Sequence, residues 1–260
     1  MRLALSNGGK LVPKQPRAGV SLLFDAGRRP RAAQVSEALD HASPDLGTAQ
    51  VSYAPDAAEG WLELIASGLT FDLSGLTPAQ GADAPSPAFR FGVDGDAGKD
   101  WEAIELVPGP HIAAGANLMP VVRMMAGLAA NLADGLGARA VGWNPAETWM
   151  APDYCRKVVA AWLAGGPFPA LGLTAFKVDR AGLVESVGLR FFTGQEMILP
   201  PLAGEARTDA IKAAARIVAY LVGTGRVTQA QAVTLQGGMD VVLEPSGDGQ
   251  RVAARRAGAG

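Results

Sequence analysis

The chain has 260 residues, of which 48% are hydrophobic and 18% are charged, and its formal net charge at pH 7 is −2. This length suits one large domain or two small ones, and the apolar content is sufficient for a core, which excludes a globally disordered chain. The charge balance lacks the basic excess that is typical of nucleic-acid-binding domains, so we expect no nucleic-acid partner.

The composition also gives little support to a disulfide bond, a metal site or a membrane-spanning segment. A single cysteine, Cys155, excludes an intrachain disulfide, and two histidines, His41 and His111, are too few for a three-histidine metal site. No stretch reaches the roughly 18 consecutive apolar residues of a membrane span, and the first apolar run is too short for a secretory signal. We therefore predict a soluble cytoplasmic protein without a metal, a cofactor or a membrane association.

Residues 1–76 form the first predicted portion, with the element order β-α-β-β-β. Residues 1–18 contain Gly and Pro and predict a loose entry. Apolar runs and helical spacing then predict a strand over 19–25, a helix from Pro30, and strands over 49–53, 61–66 and 69–73. Residues 77–100 are rich in Pro, Gly, Ala and Asp, which predicts a loop or a weak linker.

Residues 101–246 form the main predicted region, in which strands and helices are mixed. Its first half predicts a strand over 103–107, a strand over 111–114, a helix capped by Asn117, and a strand over 138–143. Its second half predicts a helix from Pro152, a hairpin over 171–178 and 183–192, a helix capped by Thr208, and a hairpin over 233–243. Residues 247–260 predict a flexible tail. The resulting fold class is α+β, with a largely antiparallel sheet and helices packed on one face.

Several side chains in this region have an expected environment. Cys155 falls on the apolar stripe of its helix, where a free cysteine usually behaves as a small hydrophobe. Met119, Met124 and Met125 are expected in the core in preference to a partner-binding patch, and Asn131 falls on the polar side of its helix.

The segment 142–152 concentrates aromatic and polar residues at the junction between a strand and a helix. Its candidates for a binding site are Trp143, Asn144, Glu147, Thr148 and Trp149. Aromatic rings at such a corner either anchor the fold or contact a ligand. Trp143 ends a strand, so we predict that it is buried and structural. Trp149 lies in the connecting turn, so we predict that it is partly exposed and the better contact for a partner.

Two residues outside the corner complete the set of binding candidates. His111 follows Pro110, where it either caps the end of a strand or lines a cleft. Glu196 lies where a strand pair leads towards Pro200, and it either holds a turn or contributes to a site. The carboxylate of Glu147 has a structural alternative as well, because acidic groups are stabilised near the start of a helix.

The chain resembles a bacterial family known as domain of unknown function forty-two sixty-one. The resemblance covers residues 101–246 and has six components: Gly109-Pro110-His111-Ile112, the helix from Asn117, Ala140-Val141-Gly142-Trp143 with its polar corner, the sequence VGLRFFTGQE at 187–196, the helix from Thr208, and the closing Gly237-Gly238 hairpin. The family has no established activity, and the resemblance implies a small accessory or interaction protein with a role in bacterial competition or secretion.

These observations lead to two functional hypotheses from different classes. The sequence has no glycine-rich phosphate loop, no zinc-protease motif and no nucleophile elbow. The first hypothesis is therefore a non-enzymatic, immunity-like interaction module whose partner is another protein. The alternative is an enzyme of unrecognised type with a site around His111, Trp143, Asn144 and Glu147.

Overall fold

The computed structural model describes residues 18–83, 85–95, 97–98 and 100–256. Within these ranges the chain forms two largely antiparallel sheets and six α-helices, which confirms the α+β class. The strands of the first sheet are β1 (Val20–Phe24), β2 (Gln50–Tyr53), β3 (Trp61–Ala66), β4 (Leu69–Ser74), β5 (Phe89–Phe91), β6 (Glu102–Pro108), β7 (Ala140–Trp143) and β8 (Thr148–Met150). The strands of the second sheet are β9 (Ala175–Val178), β10 (Val184–Val187), β11 (Glu196–Leu199), β12 (Gln231–Leu235), β13 (Met239–Pro245) and β14 (Arg251–Arg256). The helices are α1 (Ala32–Asp40), α2 (Met119–Gly135), α3 (Pro152–Leu163), α4 (Ala170–Leu173), α5 (Leu189–Thr193) and α6 (Arg207–Thr224).

The first sheet has the strand order β2-β3-β4-β6-β1-β7-β8-β5, and only the β5–β8 pair is parallel among its described strands. β1 lies inside the sheet between β6 and β7, and all five of its residues are buried. An apolar run such as VSLLF is therefore expected there, because both faces of the strand are covered. Apolar side chains of α1, α2 and α3 pack against one face of the sheet and form the larger core with it.

The second sheet has the order β12-β13-β14-β11-β10-β9, and its β11–β14 pair is parallel. Helix α6 packs on one face, where Ile217 and Leu221 meet Met197 and Leu243 in a second core. This sheet corrects the prediction of a flexible tail for residues 251–256, because they form β14 between β13 and β11. Residues 1–17 and 257–260 lie outside the described residues.

The organisation of the chain also differs from the predicted division at residues 77–100. Strands from both sides of this segment belong to the first sheet, and β5 within it pairs with β8. The segment is therefore a connection inside one sheet, and α3 and α4 separate the strands of the first sheet from those of the second along the chain. The predicted region 101–246 contributes strands to both sheets and apolar side chains to both cores.

Two local predictions are wrong because contacts distant in sequence decide the backbone. Residues 111–114 are not a strand, because the chain turns after β6 and forms a short 3₁₀ helix over Ala113–Gly115. The predicted strand over 183–192 ends at Val187, and α5 follows it. Gly188 makes this change of direction possible with a φ of +88°, which glycine adopts at little cost.

The predicted side-chain caps and one predicted polar face are wrong as well. The N-cap of α2 is Leu118 and that of α6 is Ala206, and neither makes a side-chain cap. Asn131 is buried, and its side-chain amide is fully used there. Its Oδ1 accepts a hydrogen bond from the N–H of Ser43, and its Nδ2 donates to the carbonyl oxygens of Ser43 and Gly47. An amide is needed there to satisfy buried main-chain groups.

Aromatic side chains connect the two sheets. Trp143 of the first sheet stacks on Phe192 with ring centroids 6.4 Å apart and meets Phe191 edge-on at 5.9 Å. Phe168 packs edge-on against both Phe192 and Trp162. The two cores therefore form one packed unit at this contact. Among the described residues, no helix is long and apolar enough to cross a bilayer.

Candidate functional site

The corner after β7 is a tight reversal of the chain. A short 3₁₀ helix over Asn144–Ala146 leads to Glu147, and β8 then returns antiparallel to β7 with Thr148 opposite Trp143. Glu147 has a φ of +54°, a left-handed conformation that is uncommon outside glycine. Its side chain is exposed, whereas its carbonyl oxygen accepts hydrogen bonds from the N–H groups of Ala88 and Phe89 at 2.8 and 3.1 Å.

Both tryptophans of the corner are buried. Trp143 is 1% exposed, which confirms the prediction for this residue. Trp149 is 4% exposed, so the prediction of a partly exposed ring is wrong. Its indole stacks on Trp101 at 5.5 Å, and the guanidinium of Arg90 lies 5.0 Å from the ring centroid. The ring is covered because it packs on the face of the sheet with Leu23, Ala140 and Trp101.

Asn144 belongs to a polar cluster that the sequence analysis missed. The Ser21 hydroxyl donates to its Oδ1 at 3.1 Å, and its Nδ2 donates to Glu105 Oε1 at 3.2 Å. Ser21 is fully buried and Glu105 is 4% exposed. The available signal was one polar residue inside each of the apolar strands VSLLF and AIELV, since such residues need a polar partner when they are buried.

Thr148 and Glu196 stabilise the connection between the sheets. The Thr148 hydroxyl donates to the carbonyl oxygen of Gly172 at 2.6 Å. The carboxylate of Glu196 accepts hydrogen bonds from the Ser186 hydroxyl and from the N–H groups of Gly188 and Arg190, at 2.5, 3.0 and 3.1 Å. Burial raises the pKa of Glu196, although these hydrogen bonds act in the opposite direction. Glu196 thus holds the turn that begins α5.

His111 is exposed in the turn after β6 and, within the described residues, has no hydrogen bond or ion pair with the corner. The residues of the enzymatic alternative therefore do not form one site: His111 and Glu147 face solvent, Trp143 is in the core, and Asn144 is in the polar cluster. Cys155 is buried, and burial raises the pKa of its thiol to about 12, as expected for a structural cysteine.

A groove on the helix-covered side of the first sheet is the most apolar concavity described. It has a volume of about 590 Å³ and lies between the Pro44–Leu46 turn, the start of α2 and the turn between β3 and β4. Its apolar wall consists of Leu46, Leu69, Met119, Pro120, Met124 and Leu163. Met125, the third methionine of the predicted group, is fully buried, whereas Met119 and Met124 reach the groove.

Arg123 and Asp45 supply the charges of the groove. Arg123 is already engaged, because its Nη2 donates to the carbonyl oxygen of Leu163 at 3.0 Å and its guanidinium lies 4.8 Å from the Trp162 ring centroid. This guanidinium therefore provides a hydrogen-bond donor for a carbonyl group at the C-terminal end of α3. The groove consequently offers an apolar contact surface with two charged groups, Asp45 and Arg123, in its lining.

Comparison of the chain with protein-family models, with curated proteins and with solved structures gives no match. The resemblance to domain family forty-two sixty-one therefore stays a prediction. In the part of the chain that the structure describes, no group of three or more His, Cys, Asp or Glu side chains is placed to hold a metal ion. The expectation of no cofactor likewise stays a prediction.

Proposed function

We propose that this chain is a non-enzymatic interaction module that binds another protein in the bacterial cytoplasm, in an accessory or immunity-like role. The apolar groove at the start of α2 is the observation that carries the proposal. It has a volume of about 590 Å³ and an apolar wall, and an apolar concavity on the surface is a place where a partner can bury apolar side chains.

Two properties of the groove favour a protein partner. Methionine side chains such as Met119 and Met124 are unbranched and adapt their shape, so they are frequent at surfaces that bind protein segments. Leu118, directly before Met119 in the chain, is a further exposed apolar residue, with 58% of its surface accessible. Grouped exposed apolar side chains mark interaction sites more often than single ones do.

The groove replaces the tryptophan corner as the contact surface. Trp143 and Trp149 are buried, so neither ring is available to a partner without rearrangement of the fold. Glu147 is the exposed side chain of the corner, and it has no neighbouring exposed ring there. The buried candidates of the corner, Trp143, Thr148 and Trp149, therefore contribute to the stability of the fold.

The test uses a groove variant with a matched control at a distant apolar position. Met124→Glu places a charge in the groove, whereas Val242→Glu places the same charge at a residue of the second sheet that is 39% exposed. The partner is first captured from the source organism with the unmodified chain and then purified. Binding is measured by calorimetry for all three chains, and thermal melting verifies that each is folded.

We expect Met124→Glu to weaken the binding by tenfold or more, which is about 1.4 kcal/mol. Val242→Glu should bind like the unmodified chain. Equal affinities of the Met124→Glu variant and the unmodified chain would show that the groove is not the contact surface. Turnover of a small molecule that depends on Glu147 or His111 would contradict the non-enzymatic role.

A further inference from the structure

The strands at the β2 end of the first sheet have one buried face and one half-exposed face. Alternate residues of β3 and β4, such as Leu64 and Phe71, are buried in the core that the helices share with the sheet. The opposite face carries the half-exposed residues of these two strands, which are Trp61, Glu63, Ile65, Thr70, Asp72 and Ser74. This half-exposed surface, together with Tyr53 at the end of β2, is called the open face below.

An aromatic pair and two carboxylates lie side by side on the open face. In the strand register Tyr53 lies opposite Glu63, and Glu63 lies opposite Asp72, so the three side chains share this face. Tyr53 is 55% exposed, and its ring centroid lies 5.7 Å from that of Trp61. Two rings and two carboxylates are therefore available to solvent at one place on the sheet.

The two carboxylates have no cationic partner. Glu63 accepts a hydrogen bond from the Ser52 hydroxyl at 2.7 Å, but in the part of the chain that the structure describes neither Glu63 nor Asp72 forms an ion pair. Burial and the neighbouring charge of Glu63 both raise the pKa of Asp72. Like charges directly opposite each other are unfavourable, and a cation placed between them would remove the repulsion.

The sequence around the open face is acidic over a long distance. Residues 32–89 contain eight Asp or Glu residues and no Lys or Arg. The strands β2, β3 and β4 belong to this stretch, so their carboxylates lack basic neighbours along the chain. A surface of one sign attracts a partner of the opposite sign and favours it over others.

We propose that the open face binds an arginine-bearing segment of a partner protein, with its guanidinium groups against the rings of Tyr53 and Trp61 and the carboxylates of Glu63 and Asp72. The apolar groove lies on the helix-covered side of the sheet, so the open face is a second and separate contact surface.

The combination of rings and carboxylates selects arginine over lysine. A guanidinium is planar, so it stacks on an aromatic ring while its N–H groups donate to carboxylate oxygens. The chain contains this stacking elsewhere, because the guanidinium of Arg90 lies 5.0 Å from the ring centroid of Trp149. A lysine ammonium forms the ion pair but does not stack in this way.

The test is calorimetric titration with a synthetic peptide of alternating arginine and threonine residues. We expect the double variant Glu63→Gln/Asp72→Asn to bind the peptide about tenfold more weakly than the unmodified chain, because it removes both acceptor charges. Tyr53→Ser should weaken binding by about threefold, because it removes a ring on which a guanidinium stacks. Thermal melting verifies that each variant is folded.

The matched control is the double variant Glu37→Gln/Asp40→Asn, which removes the same two charges from exposed positions of α1. It should bind the peptide as tightly as the unmodified chain. Equal losses in the two double variants would show attraction by net charge alone and overturn the proposal. Absence of binding, or equal affinity for a peptide with lysine in place of arginine, would also overturn it. A dimer in sedimentation that dissociates in Glu63→Gln/Asp72→Asn would assign the open face to a second copy of the chain instead.

Discussion

At the scale of single residues, the two corner tryptophans stabilise different parts of the molecule. Trp143 packs against Phe191 and Phe192 and thereby joins the sheets. Trp149 packs against Trp101 and Arg90 and fixes the connection that precedes β6. Both rings are large and buried, so each contributes through burial of apolar area and through contacts between rings.

We predict that Trp143→Ala and Trp149→Ala each lower the free energy of unfolding, and that Trp143→Ala has the larger effect. Removal of a buried tryptophan typically costs about 3–5 kcal/mol. Trp143 is 1% exposed and contacts α5, which lies between two strands of the second sheet, whereas Trp149 contacts only strands and connections of the first sheet among the described residues. Urea unfolding of the two variants gives the comparison. A larger loss for Trp149→Ala would contradict this ranking.

At the scale of elements, an ion pair fixes the end of β14. Arg256 donates from Nη1 to one oxygen of Glu205 and from Nη2 to the other at 2.7 Å, and Nη2 also donates to the carbonyl oxygen of Pro200 at 3.2 Å. The two side chains are 6% and 12% exposed. The strand is thus held to the segment that leads into α6.

This ion pair predicts a specific dependence of stability on pH. The hydrogen bond from Arg256 lowers the pKa of Glu205. A carboxyl whose folded pKa is lowered stabilises the protein above its ordinary pKa, and this contribution is lost as the pH falls through the folded pKa. We expect the free energy of unfolding to decline less between neutral and acidic pH in Glu205→Gln than in the unmodified chain.

Urea unfolding at several pH values measures this difference. Glu185→Gln is the control, because it removes an exposed ion pair with Arg251 at 3.4 Å in the same sheet. Exposed pairs contribute about 0–1 kcal/mol, so its curve should run parallel to that of the unmodified chain. Parallel curves for Glu205→Gln would show that Glu205 is not the titrating group.

At the scale of the whole molecule, close backbone contact at Gly188 couples the two sheets. A Cβ on this residue would lie 2.6 Å from Ala146 Cβ and 2.8 Å from Ala146 Cα. The approach places α5 directly against the corner, where Phe191 and Phe192 reach Trp143. The cooperativity of unfolding should therefore depend on this position.

We predict that Gly188→Ala separates the unfolding of the two cores, so that calorimetry shows two transitions where the unmodified chain shows one. Gly204→Ala is the matched control, because Gly204 also has a positive φ of +72° but a Cβ there would meet nothing within 4 Å. Backbone strain alone affects both variants, whereas the steric clash affects only Gly188→Ala. Two transitions in both, or one in both, would contradict the coupling role.

The sequence predicted those features that local patterns determine. The apolar run of β1, the periodicity of α2 and the burial of Trp143 at the end of β7 all follow from neighbouring residues. Features that need distant residues were missed. Glu196 makes α5 possible through hydrogen bonds across a turn, and the groove combines Leu46, Leu69, Met124 and Leu163 from four separate segments.

Strand β14 is a second feature that local patterns did not predict. Its Ala and Arg content suggested fraying, yet Val252, Ala254 and Arg256 are buried in alternation with exposed or half-exposed neighbours. The alternation was present in the sequence. What made it a strand is the space between β13 and β11, which no local pattern reveals.

The position of β14 has a consequence for synthesis on the ribosome. All strands of the first sheet have been made once Met150 has been added, and α3, which packs on this sheet, is complete at Leu163, so most of the first core exists before the second sheet is finished. The second sheet has to wait for Arg256, because β14 lies in its interior and separates β13 from β11. Until then the apolar face of α6 has an incomplete partner, so its apolar side chains stay exposed to solvent and to other chains.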